Sequence, residues 1–154
     1  MKEEILEHQR HSIEFVESLR GLNNKLWRTP ISEGKWTIAE IIGHFESWDT
    51  FILKNRLPYI IMEHELPKSP KSEKINANSA YMSRSEKQDV TINTFVLTRR
   101  ELYKAIHNIP DEMWTKTFSI GNTTVSMYEY FTGLAKHDHH HFNQIKDFLS
   151  RYKL

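Results

Sequence analysis

Five residues near the C-terminus, His137-Asp138-His139-His140-His141, place four imidazoles in a segment otherwise patterned for a protein core. Imidazole is a common ligand of divalent transition metals, so what matters is which of the four can converge. Each residue of an α-helix advances by about 100°. His141 then lies about 40° from His137, and Tyr130, Leu134, Ile145 and Phe148 fall on the same side. The i, i+4 pair His137/His141 therefore shares the apolar face. His139 points to the opposite side and is expected in solvent, His140 lies on the shoulder, and Asp138 reads as an interruption. Two inward imidazoles without partners would be costly, and a metal removes that cost.

Two histidines need a third ligand, and His44 supplies one. Thr37 and Glu40 form a capping-box signature that starts a helix at Thr37. On that helix His44 shares its face with Ile41, Trp48, Phe51 and Ile52, while Glu46 points away. Ser126 and Glu129 form the same signature at the start of the last helix. His44 and His137 differ in distance from their caps by about one helical turn, so a modest offset brings them together.

Three neutral imidazoles leave one position open on a tetrahedral ion, the arrangement of catalytic sites. All-nitrogen ligation suits zinc or nickel. Such an ion can bring the pKa of bound water to about 7 for hydrolysis, or hold a small thiol as thiolate for S-transfer. The chain has no cysteine, so a nucleophilic thiol would come from a cosubstrate. Gln144 lies beside the histidine pair and could bond a ligand or steer a water. Trp48 and Asn55 lie on His44's face as candidate cavity walls. Neither histidine helix shows an inward carboxylate suited to general-base work, and Glu40, the nearest, is occupied by its capping role.

The elements that must position these residues read as helices. Five glycines and five prolines in 154 residues, with helical periodicity in most windows, predict an all-α four-helix bundle in a single domain, 1–154. The helices are expected over Lys2–Arg20, Thr37–Asn55, Ser83–His107 and Met127–Tyr152. Pro58 should disturb the end of the second. The third should be opened by a box of Ser83 with Glu86. Residues 64–78, with Pro67, Pro70 and three lysines, read as a long exposed crossover between helices two and three. Gly121-Asn122 between β-prone runs suggests a small hairpin. Trp27, Trp36 and Trp114 are expected to close the bundle ends. A weak internal echo pairs Trp27, Gly34, Thr37 and His44 with Trp114, Gly121, Thr124 and His137, as a pseudo-twofold bundle would.

The block from Gly34 to His44, followed by the run from His137 to Ile145, resembles the DinB-like superfamily, which includes YfiT-like metal-dependent hydrolases and bacillithiol- and mycothiol-type S-transferases. The likeness extends over essentially the whole chain. It implies an up-down-down-up bundle and a metal triad at His44, His137 and His141, the trio that the helical projection also selects. It further implies a metal-dependent enzyme acting on a small-molecule substrate, with a low-molecular-weight thiol as one candidate partner, and a homodimer. The alternative is a non-catalytic metal- or ligand-binding bundle.

Composition narrows the rest. With 21 basic and 20 acidic side chains and no basic stripe among aromatics, nucleic-acid binding is not expected. No stretch approaches the length of a membrane span, and the first residues lack a secretory apolar core, so a cytoplasmic protein is expected.

Overall fold

The computed structural model describes residues 1–152. Four long helices make the body: α1 (Lys2–Ser18), α3 (Ile38–Phe51), α6 (Gln88–His107) and α7 (Met127–Ser150). Short helices α2 (Asn24–Trp27) and α4 (Leu57–Ile61), the longer α5 (Ser72–Ser85) and a hairpin of β1 (Thr117–Ile120) with β2 (Thr123–Ser126) connect them. Side-chain pairs give the directions. His8 meets Asp138 and Phe15 meets Phe142, so α1 and α7 run parallel. Phe45 meets Phe95 and Asp49 meets Arg99, so α3 and α6 run parallel. Gln9 meets Arg99 while Arg20 meets Asn93, so α1 and α6 are antiparallel. In chain order the four are up, down, down, up.

The core has two apolar halves. One gathers Val16, Ile38, Phe45, Phe95 and Phe142, and the other gathers Ile5, Ile52, Leu102, Trp114 and Phe131. On each long helix the residue between the two sets is polar and buried: Gln9 on α1, Asp49 on α3, Arg99 on α6 and Asp138 on α7. An ionic layer thus crosses the middle of the bundle.

Both capping boxes form. Thr37 accepts from the Glu40 amide and Ser126 from the Glu129 amide, and each glutamate accepts back from its cap's amide. The echo is visible as well. Gly34 and Gly121 both take positive φ, 74° and 59°, in the turns that precede the two capped helices. A Pro30–Thr37 bridge stands where the second half has its hairpin.

Three expectations are corrected. Residues 72–85 of the crossover region are helical and pack against α3. Ser83 lies inside that helix and bonds back to Ala80, so it opens no third helix; α6 starts at Gln88. The second helix does not run evenly to Asn55. Pro58 has no amide proton, and its ring crowds the carbonyl four residues back. The chain answers with a π-helical segment over Ile52–Arg56 before α4 resumes with Pro58 in its first turn.

Gly43 has a different job. A Cβ there would stand 2.6 Å from the Ser83 Cβ, so glycine is what lets α5 approach α3.

Candidate metal centre

His44 projects from the middle of α3, only 1 % exposed, with Trp36 and Phe45 against its ring at 5.1 and 4.5 Å. Its Nδ1–H donates to the Ile41 carbonyl, one turn earlier on the same helix. That bond fixes the tautomer and leaves Nε2 as a bare lone pair. On α7, His141 Nδ1–H donates to Gln144 Oε1 at 3.0 Å, with the same consequence for its Nε2. His141 Nε2 stands 3.2 Å from His137 Nε2. Tetrahedral ligands on a zinc–nitrogen bond of about 2.1 Å would be about 3.4 Å apart, so this pair already has the needed spacing. One ligand nitrogen from each of His44, His137 and His141 lies within 4.8 Å of the others. The donor set fits a divalent ion: three neutral nitrogens converge, and two are aimed by hydrogen bonds on their far side.

Electrostatics favour the ligand form. Burial lowers the pKa of His44 to about 4, and burial also lowers those of His137 and His141. All three are neutral near pH 7, as coordination requires.

The pair on α7 is less enclosed than the helical projection implies. His141 is half-buried and His137 exposed. The groove between α3 and α7 opens here into a cavity of about 340 Å³, and His137 stands on its wall. That volume is in the range of small-molecule sites. Phe45, Trp48, Ile52, Leu102 and Leu134 supply apolar wall. Trp48 is there as expected, held by its indole N–H on Asn76 at 2.8 Å. Asn55 is not a wall residue. The π segment inserts an extra residue into the turn and brings Arg56 into the cavity lining instead.

His139 and His140 are exposed, as the projection has them, although the His139 ring lies 4.8 Å from that of His8. Trp27 and Trp114 are buried in the two core halves, whereas Trp36 covers His44 rather than closing an end. Asp138 is the residue most misread in sequence: it is 4 % exposed. It lies about 100° from His137, and α7 buries that side too, against α1 and α6. There it accepts from Arg99 at 2.7 and 3.0 Å and pairs with His8 at 2.8 Å. Asp49 takes the third Arg99 bond at 2.6 Å. Inward carboxylates therefore do exist on both histidine helices. A pair of acids matched to one arginine in the facing helix was the available signal. Burial works against the Asp138 carboxylate, but Arg99 and His8 outweigh it and hold its pKa well below the usual range. Burial raises Asp49 to about 6 despite Arg99. Because Arg99 engages both acids, neither is a free base.

Among curated proteins none matches the chain. Among solved structures the chain is similar to YfiT from Bacillus subtilis, described as a probable metal-dependent hydrolase with an unusual four-helix bundle topology. The TM-score is 0.80 at 16 % identity, over 98 % of this chain and 87 % of that one. It is also similar to two structures of the mycothiol-dependent maleylpyruvate isomerase, one of them a mutant, with TM-scores of 0.73 and 0.72 at 20 % and 17 % identity. Those matches cover 94 % of this chain but only 60 % of the isomerase. At such identities the likeness is one of fold. No helix among the described residues is long and apolar enough to cross a membrane. The model of the DinB superfamily matches residues 6–145, and the chain belongs to that superfamily.

Proposed function

We propose that the protein is a metal-dependent enzyme acting on small molecules, with one divalent ion, zinc or nickel, held by His44, His137 and His141. The observation that carries this reading is the convergence of three imidazole nitrogens within 4.8 Å, one of them, that of His137, on the wall of a 340 Å³ cavity. A bound ion supplies Lewis acidity that makes a coordinated water or thiol more acidic. The chain's own part is to aim the ligands, through Ile41 and Gln144, and to present an apolar wall to the reacting molecule.

Thiol-dependent S-transfer is the reaction favoured. Both buried acids beside the site are tied to Arg99, so among the described residues neither stands free to take a proton from water. A small thiol needs less help, because its pKa, about 8.5 for a free thiol, lies far below that of water. The mycothiol dependence of the similar isomerase supports the same choice. Hydrolysis is the second reading, supported by the description of YfiT. The two separate in one assay: zinc-loaded protein is given an electrophilic aryl halide with a panel of low-molecular-weight thiols, and in parallel activated esters and amides without thiol. Conjugation that needs both thiol and zinc is the expected result. Ester or amide cleavage with no conjugation by any thiol would move the assignment to hydrolase, and neither activity would leave a binding protein.

A further inference from the structure

Arg56 is a buried cation that the metal site does not use. Its side chain lines the cavity that His137 also lines, and the residue is 7 % exposed. No carboxylate pairs with it among the described residues; the two acids of the cavity wall both bond Arg99. Among the described residues its one hydrogen bond is from Nη2 to the Ser69 hydroxyl, and its buried Nε–H has no partner. The guanidinium stacks on Phe51 at 5.1 Å. Stacking occupies the face of the plane and leaves the edge N–H groups free. Arginine cannot shed its charge, so a buried guanidinium without an anion is costly. The π segment that puts it there is a device frequent at functional sites, and here it exchanges Asn55 for Arg56 on the cavity side.

We propose that the cavity binds a small organic acid, its anionic oxygens on the free edge of Arg56 and its apolar body along Trp48 and Leu134 toward His137. The placement of the reacting end at His137 rests on the function proposed above; the anion site itself does not. The ligand's charged group is an oxyanion, carboxylate or phosphate, since both match the donor fork of arginine.

Calorimetric titration of the full chain, both chelator-treated and zinc-loaded, tests this with benzoate, phenyl phosphate and the neutral isostere benzamide. The expected result is that at least one of the two acids binds at millimolar concentration or below in both preparations, and the stronger names the oxyanion. Benzamide should bind at least about tenfold more weakly, as loss of a charge-assisted contact predicts. Arg56→Gln should lose about ten- to a hundredfold on the same grounds, and Arg56→Lys should fall between. Equal affinity of Arg56→Gln, benzamide binding as well as benzoate, or no binding by either acid would each overturn the proposal. If Arg56→Gln does not fold, judged by far-UV circular dichroism, the benzoate–benzamide ratio and Arg56→Lys decide. The two readings fail separately. Acid binding that needs zinc and ignores Arg56 would sink the anion site and leave the metal site standing. Arg56-dependent binding by a protein that takes up no zinc would do the reverse.

Discussion

Replacing Arg99 with methionine should destabilise this bundle about as much as truncating a large side chain of its apolar core. The guanidinium is 3 % exposed and makes three close bonds to two carboxylates, 2.6 Å to Asp49 and 2.7 and 3.0 Å to Asp138. Methionine fits the apolar neighbours, because the Arg99 head already rests on Phe45 and Phe95 at 5.2 and 4.9 Å. What it cannot do is neutralise the acids. Asp138 would keep His8, whereas Asp49 would lose its only ion-pair partner among the described residues. Removing one side of a buried ion pair costs about 3–5 kcal/mol. For a chain of this size that is a fall in Tm of roughly 6–20 °C. The deficit should shrink in acid. Without Arg99 the folded-state pKa of Asp49 climbs further above its unfolded value and that of Asp138 rises too, so falling pH favours the folded variant relative to wild type. Urea unfolding followed by circular dichroism at pH 7 and pH 5 reads both effects. A loss below about 1 kcal/mol at pH 7, or a loss that grows on acidification, would refute the ionic layer as a structural element.

Two further outcomes follow from the structure. Gly43→Ala should destabilise, because overpacking costs about 1–3 kcal/mol and better helix propensity returns no more than about 1 kcal/mol of it; adding Ser83→Gly, which removes the Cβ that the new methyl meets, should restore stability in the same melts. In the metal-free protein His44 should contribute a loss of stability as pH falls from about 6.5 to about 4, opposite in sign to the contribution of Asp49, since the unfolded chain protonates His44 there and the folded chain, with its pKa of about 4, does not. The slope from this group approaches about 1.4 kcal/mol per pH unit, and His44→Gln should flatten the curve by that amount; an unchanged slope in calorimetric melts would mean that His44 is not buried neutral.

The histidine triad was legible in sequence because it needs only local rules. Capping boxes set the phase of two helices, and the 3.6-residue period picked one histidine on α3 and two on α7. Four things escaped for physical reasons. Asp138 lies off the main apolar stripe of α7, and a charge there looks solvated until another helix is known to cover it. Arg99 and Asp49 become intelligible only as a set, since in sequence each alone reads as an ordinary surface residue of a helix. The π segment escaped because a fixed 100° step cannot register an inserted residue, and so the helical projection places Asn55 where Arg56 stands. Helix α5 was hidden by Pro67, Pro70 and the lysines, yet both prolines precede its first residue, Ser72, and do not interrupt it.

The most direct test of the central claim is zinc stoichiometry by equilibrium dialysis and elemental analysis, comparing the wild-type chain with His141→Ala. His141 is the half-buried member whose Nε2 faces His137 at 3.2 Å, so its loss opens the cluster while removing no fully buried side chain. The account predicts one zinc per wild-type chain and none retained by a variant that stays helical. Equal zinc content in the two would contradict it.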